Sequence, residues 1–421
     1  FVLSVLSADY IQRRRSVAGF ADGSVRLGSH WKIGAGLRYT HESKRFSADF
    51  NNNNATCAAL QSSALPGIAT NPQLGSAAAL AGGILTLACL GNGSTSLNAL
   101  DLNDRISDGE FSGTAVLSWK PTDDLLLYGS YSKGYKAGGF NLDRFQLGST
   151  GLNAIPAVFA PRTNADVTSL RFAAEKVDAF EIGLKYAQPK WSANIAAFRQ
   201  EFKNFQLNTF NGTSFVVQNI NGCDSDLGGA DRDADGTTGA CAADNVAPGV
   251  IAQGFEFEAS LSPIRDLTMT MGVTYSDTSY EDNLVGRDNG SPLDPALRLL
   301  PGDNLSNAPE VTATASLSWT PPIGNSGLSG LFFINARTTD DYNTGSDLLH
   351  GKEQDAYTIV NGRIGITGPD RRWGLELWAN NLFDVDYTQV AFNTPFVAPQ
   401  QTYSAFLAEP RPYGITVRAG F

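Results

Sequence analysis

The chain has 421 residues, of which 42% are hydrophobic and only 17% charged, and its formal net charge at pH 7 is −11. That balance offers nucleic acid no basic surface. The most apolar run, Ala78–Leu90, is too short for a spanning helix and is broken by Gly82 and Gly83, so a membrane location requires amphipathic strands of about 9–11 residues across the bilayer core.

In chain order, period-two alternation predicts about fourteen strands, near 1–10, 14–27, 31–46, 108–120, 124–137, 173–187, 190–207, 250–262, 266–280, 309–320, 328–342, 355–367, 373–388 and 411–421. In 255–261, Phe255, Phe257, Ala259 and Leu261 alternate with Glu256, Glu258 and Ser260. In 311–319, Val311, Ala313, Ala315, Leu317 and Trp319 alternate with Thr and Ser. The strands come in pairs. Short joints at 28–30, 121–123, 188–190, 263–265, 321–327 and 368–372 alternate with long polar segments near 47–107, 138–171, 208–250, 281–308, 343–354 and 389–410. A soluble sandwich has no reason to alternate joint lengths in this way. An all-β, transmembrane antiparallel β-barrel does, with short periplasmic turns at one rim and long extracellular loops at the other.

Tryptophan placement supports the barrel. Trp31, Trp119, Trp191, Trp319 and Trp373, five of the six, lie within a few residues of a short joint. Indole rings favour the membrane–water interface, whereas the core tryptophans of a sandwich would not sort to one end. With the last strand ending at the short-turn rim, fourteen strands put Phe421 and Phe1 on the same, periplasmic side. The lumen carboxylates Glu181, Glu256, Glu258 and Glu376 then form a polar wall, with Lys185 and Arg418 as partners.

The four cysteines fall as close pairs inside long segments, Cys57 with Cys89 and Cys223 with Cys241. Three pairings are open, and local pairing is favoured because each loop then closes on itself. None has CxxC spacing, and disulfides imply an oxidising compartment. The chain starts at Phe1 without a visible signal peptide, so it reads as a processed product or a fragment.

From 124 to 143 the sequence DLLLYGSYSKGYKAGGFNLD closely resembles a strand-and-loop signature of TonB-dependent outer-membrane receptors, particularly the alphaproteobacterial type. EKVDAFEIGLKYA (175–187), NIAAFRQEFKNFQL (194–207), QGFEFEASLSP (253–263), NAPEVTATASLSW (307–319), WANNLFDVDY (378–387) and RPYGITVRAGF (411–421) follow in the family's order. The resemblance implies a 22-stranded barrel in the outer membrane of a Gram-negative bacterium. It also implies an N-terminal plug that contacts the inner-membrane TonB complex, and active uptake of a scarce large solute such as a siderophore–iron chelate. This chain carries no plug sequence and no energy-coupling box. It is expected to be the C-terminal portion of such a barrel, 1–421, with about 14 of the 22 strands. A closed fourteen-strand barrel would contradict that.

Candidate sites are few. Asp231, Asp233, Asp235 and Gly236 form a DxDxDG run in the loop 223–244, where alternate oxygen ligands and a glycine turn suit a structural Ca²⁺. A full twelve-residue loop would carry an acid where Ala242 stands, and a solvated acidic loop is the competing reading. No cofactor is otherwise expected. Tyr135, Phe140 and His350 are ligand-contact candidates, although Tyr128, Tyr131, Tyr135 and Phe140 read better as an outer aromatic girdle. Gly134, Gly138 and Gly139 open no helix and form no phosphate loop. No nucleophile–base pair stands out and no GxSxG is present, so no enzyme is expected. The expected partners are membrane lipid, a small-molecule or chelate ligand and the TonB system. A passive porin and a surface-loop adhesin are the alternatives.

Overall fold

The computed structural model describes residues 5–89, 100–142, 147, 167–210, 215–227, 239–369, 372–394 and 402–420. Thirteen strands in sequence order form one antiparallel path. They are β1 Val5–Leu27, β2 Trp31–Asn53, β3 Leu100–Trp119, β4 Leu125–Lys136, β5 Glu175–Gln188, β6 Trp191–Lys203, β7 Val250–Leu261, β8 Leu267–Tyr280, β9 Val311–Trp319, β10 Leu328–Thr339, β11 Tyr357–Thr367, β12 Trp373–Ala379 and β13 Tyr413–Ala419. A short ribbon, Pro322–Ile323, pairs with the start of β10 and makes the sheet fourteen-stranded. Among the described residues no helix is long and apolar enough to cross a membrane.

Register fixes which side chains share a face. Leu27, Trp31 and Trp119 lie side by side, as do Val25, Ile33 and Leu117, and Ala21, Leu37 and Gly113. The same face continues through Phe180, Ile182, Ile195, Phe255, Met269, Met271, Ile334, Ile364, Leu375, Leu377, Ile415 and Val417, all exposed. A water-facing surface of this size would be untenable. It is the lipid face. Trp31, Trp119, Trp191, Trp319 and Trp373 all lie on it at the short-turn rim, with Trp31 stacked on Trp119 at 5.5 Å. At its upper edge Tyr39 meets Phe111 (4.8 Å), Tyr131 meets Phe180 (5.1 Å) and Phe255 meets Tyr275 (5.7 Å), so the apolar band has aromatic borders at both ends. The strands are staggered as a barrel wall requires. The line of paired residues that leaves Trp119 at the rim passes Leu127, Leu184, Ile195, Phe257, Val273 and Ala313. It arrives at Thr338, far up β10, whose rim end is Leu328.

Four expectations need correction. The segments 1–10 and 14–27, expected as two strands, share one strand over Val5–Leu27, which runs through the expected gap at 11–13 because the strand simply continues above the bilayer. The joint between β2 and β3 is shorter than expected and is not irregular. Both strands extend into it, and its described part, 54–89, holds three α-helices, α1 Ala55–Gln61, α2 Leu65–Ala69 and α3 Ser76–Ala88. Alanine-rich α3 suits a helix, and Leu85 and Cys89, one turn apart, bury against Cys57. The twelfth strand stops at Ala379, because Asn381 and Asp384 take left-handed φ values of 48° and 56° and turn the chain. Finally, β1 starts at the long-loop rim. With thirteen antiparallel strands, β1 and β13 run in the same direction, and each has one neighbour among the described residues. They cannot zip to each other in the antiparallel pattern, and no closed fourteen-strand barrel forms.

Candidate functional site in the lumen wall and outer loops

The inward face of the sheet is polar. Thr268, Thr270, Thr274 and Ser276 of β8 stand beside Thr312, Thr314, Ser316 and Ser318 of β9, and the Thr270 and Ser316 hydroxyls lie 2.7 Å apart. Glu376 pairs with Arg418 at 3.1 Å. Tyr128 lies flat over Gly183, donates to Glu181 and carries Lys185 over its ring. Trp378 does the same over Gly414 and donates to Thr416 at 3.2 Å. In both places the strand lacks a side chain where a ring from the neighbouring strand covers it. The outcome is a hydroxyl- and carboxylate-lined wall. Glu376 has the Arg418 partner expected of it, whereas Lys185 lies over the Tyr128 ring and Glu181 is met by the Tyr128 hydroxyl; Tyr128 faces the lumen, not the girdle.

Above the wall the long loops interlock. β6 ends where Asn204 adopts φ 54°, and the chain folds into a hairpin, Phe205–Phe210 with Phe215–Cys223. Buried amides strap this hairpin to its neighbours. Asn219 takes the Ala173 amide at 2.7 Å and gives to the Asn204 carbonyl at 2.9 Å. Asn221 donates to the Asn204 side chain at 2.8 Å. Asn141 exchanges a pair of hydrogen bonds with the backbone of Val217, at 2.9 and 2.8 Å. Each amide replaces a ladder partner, as buried backbone groups require. The hairpin also pairs with Leu284–Val285 and Val246–Ala247 from the following loops. Beneath it Leu207, Val216, Ile220, Leu284, Leu293 and Leu297 form an apolar core outside the membrane. Cys57 is bonded to Cys89 and Cys223 to Cys241, each closing one outer loop.

A buried ion pair inside the 343–354 loop is met by Asn393 and Tyr403 of the last long loop. Lys352, with 1% of its side chain exposed, lies 2.6 Å from Asp347 and over the Tyr403 ring at 5.1 Å. Asn393 donates to the other Asp347 oxygen at 2.7 Å. Burial pulls the Lys352 ammonium below the ordinary lysine range, and Asp347 opposes that shift. On the surface of these loops Phe392 lies 6.1 Å from Phe215 and 5.7 Å from Phe406, ring to ring. Phe215 and Phe406 are 51% and 61% exposed. The three rings come from three different segments. Nothing in the sequence marks them, because only the fold brings 215, 392 and 406 together.

The residues expected from the sequence separate. Phe140 is buried and stacked on Phe46 at 4.8 Å. Tyr135 is half-buried on the face that carries Tyr131. His350 is exposed, 3.2 Å from Glu353. These three do not share a site. Asp231, Asp233 and Asp235 lie outside the described residues. Among the described residues no group of three or more His, Cys, Asp or Glu is placed to hold a metal. A hollow of about 500 Å³ is on the lipid face between Ile33, Leu117, Gly129, Tyr131 and Ile182, a place for an acyl chain, not a solute.

Known proteins agree with this architecture. The family described as TonB dependent receptor-like, beta-barrel matches residues 4–382. The ferric yersiniabactin uptake receptor FyuA from Yersinia pestis superposes with a TM-score of 0.65 at 15% identity, over 99% of this chain and 47% of that one. The siderophore receptor PiuA from Acinetobacter baumannii gives 0.58 at 15% identity, over 97% and 43%. The closed form of the ferric-catecholate import receptor Fiu from E. coli K12 gives 0.57 at 14% identity, over 97% and 45%. The chain thus spans about half the length of the solved receptors it resembles. Its lipid-facing sheet, short turns and long loops are those of an outer-membrane barrel, and the chain belongs to the TonB-dependent receptor-like β-barrel family.

Proposed function

We propose that this chain supplies the wall and outer loops of an outer-membrane receptor that takes up a scarce, bulky solute of the metal-chelate class, with energy from the TonB system. The observation that carries this reading is a pair of features: a Phe215–Phe392–Phe406 platform on the loop hairpins, with Phe215 and Phe406 exposed, and a wall of hydroxyls and carboxylates on the inward face of the sheet. Aromatic faces capture a large planar or partly apolar ligand, and the polar wall below lets it pass without a second strong site. Three solved receptors of similar fold are named for siderophores or their iron complexes, which supports iron chelates as the first candidates to try.

Open edges at β1 and β13 support a larger assembly. Each unpaired backbone group in hydrocarbon costs several kcal/mol, and two edges running in the same direction close antiparallel only through an odd number of further strands. The wall of this chain is then one part of a bigger barrel, gated by a plug that meets TonB. The test is uptake of radiolabelled ferric chelates by cells with the gene intact, deleted, or carrying Phe392→Ala with Phe406→Ala. Uptake that depends on the gene and on TonB, and that the double variant weakens, supports the proposal. Gene-dependent entry without TonB would favour the porin reading, and cell adhesion without uptake the adhesin one.

A further inference from the structure

Just above the lipid band, the outward face of β1, β2 and β3 becomes basic. Arg13, Arg45 and Arg105 are direct cross-strand neighbours, one from each strand. In the next row down stand Arg15, Ser43 and Ser107, then Val17, His41 and Gly109, and then Tyr39 and Phe111 at the edge of the band. The Arg105 guanidinium donates to Ser43 at 3.1 Å, and the Tyr39 ring leans upward over Gly109. The four arginines of these rows, with Arg14, Val17, His41 and Ser43, line a pocket of about 430 Å³.

Three cations side by side on one sheet face repel one another. Elsewhere on these strands the chain answers such charges. On the opposite, inward face Arg14 and Lys44 pair with Glu42, Arg171 pairs with Asp104 and Lys176 with Glu110. Among the described residues, Arg13, Arg15, Arg45 and Arg105 have no carboxylate within ion-pair distance. Asp9, Asp49 and Asp101 form a row of their own two rows beyond the Arg13 row on the same face. The sheet therefore sorts its charges by face and leaves four guanidinium groups pointing outward without a counter-charge.

Height identifies the counter-ion. At about 3.4 Å per residue and a strand tilt of about 40°, Arg15 and Arg13 stand roughly 31 and 37 Å above the Leu27 rim, against an apolar band about 25 Å tall. They lie in the headgroup layer of the outer leaflet, directly over acyl-chain surface formed by Val17, Tyr39, Phe111 and Leu37. We propose that this patch binds the phosphorylated headgroup of an outer-leaflet glycolipid, whose acyl chains run down the apolar stripe beneath. Guanidinium forks match phosphate oxygens in pairs, and the row of three spaces them along one headgroup. The lipid would stiffen the three strands that rise furthest above the membrane.

The test uses the intact protein extracted from outer membranes and placed in phosphatidylcholine nanodiscs with bis-phosphorylated lipid A, with retained lipid counted by native mass spectrometry. The wild type should keep lipid A, and should keep its dephosphorylated form at least about tenfold less well. Arg13→Gln/Arg45→Gln/Arg105→Gln should lose retention by a similar factor, while the lysine triple Arg13→Lys/Arg45→Lys/Arg105→Lys should recover most of it. Arg26→Gln/Lys32→Gln/Lys120→Gln, which removes three charges near the other rim, should behave as wild type. Heat-modifiable gel mobility shows that each variant is folded, and single Arg45→Gln, expected to lose severalfold, replaces the triple if that one is not. Equal retention of both lipid forms, or of wild type and the Gln variants, overturns the proposal. So does release by millimolar inorganic phosphate alone, which would mark a soluble-anion site.

Discussion

Lys352→Met should unlock the last two outer loops while leaving the barrel wall intact. Lys352 is buried against Asp347 at 2.6 Å, and that carboxylate keeps two other contacts, the Asn393 amide at 2.7 Å and the Leu349 backbone N–H at 3.3 Å. Removing one partner of a buried ion pair costs about 3–5 kcal/mol, because a charge is left without compensation. The Asn393 and Leu349 hydrogen bonds that Asp347 keeps argue for the lower end, about 3 kcal/mol. Lys352 also carries, through its backbone carbonyl, the Thr344 amide at 2.9 Å and the Thr344 hydroxyl at 2.7 Å. A loss of about 3 kcal/mol corresponds to exchange roughly 150-fold faster for amides released by local opening. Hydrogen–deuterium exchange of the intact protein in detergent at pH 7 reads this in peptides covering 343–354 and 389–394, with β7 peptides as the unchanged control. The double variant Lys352→Met/Asp347→Leu, which leaves no stranded charge, should regain most of the protection. Acceleration below about fivefold in the single variant would refute the claim that this pair holds the loops together.

Cys57→Ser/Cys89→Ser should make the segment 54–89 protease-sensitive, since a loop of sequence separation 32 is tightened by about 3–4 kcal/mol when closed, and barrel heat-modifiability should not change. Equal protease resistance would show that the α1–α3 packing suffices alone. Gly183→Val should push the Tyr128 ring off its seat and from Glu181, lowering stability by about 1–3 kcal/mol; an unchanged urea midpoint would contradict that close approach. The Glu353 carboxyl is pushed up by partial burial, but the amides of Glu353 itself and Gly351, with His350, hold it below the ordinary 4.5. Its stabilisation of the 350–353 turn is therefore complete above pH 4.5 and is lost as pH falls through the lower folded value. Exchange at Gly351, corrected for intrinsic rates, should rise over that interval in the wild type and stay flat in Glu353→Gln; a flat wild-type profile would remove the carboxylate from this role.

The wall was legible in the sequence because its physics is local. Alternation of Phe255, Phe257 and Ala259 with Glu256 and Glu258 needs only a pleat and two solvents, and the Trp positions give the rim. Errors appeared where strands leave the bilayer. Above the lipid band alternation no longer separates apolar from polar, so β1 was divided at 11–13 and β2 looked shorter than it is. The loops were opaque for a different reason. Asn141, Asn204, Asn219 and Asn221 act through pairings across dozens of residues, and asparagine in a polar loop carries no signal of that. Phe140 was singled out by its neighbours in sequence, yet its partner Phe46 lies on β2. The Phe215–Phe392–Phe406 platform is legible only once two loops, 208–250 and 389–410, have been placed.

Everything rests on one assignment, that the face carrying Phe255, Phe257 and Ala259 meets lipid while that of Glu256 and Glu258 meets the lumen. Single cysteines at positions 255 to 259 of the intact protein, spin-labelled in bilayers, test it through collision with molecular oxygen, which concentrates in hydrocarbon. Oxygen accessibility should alternate along β7, high at 255, 257 and 259 and low at 256 and 258. A uniform profile, or the opposite phase, would contradict the barrel and the account of function built on it.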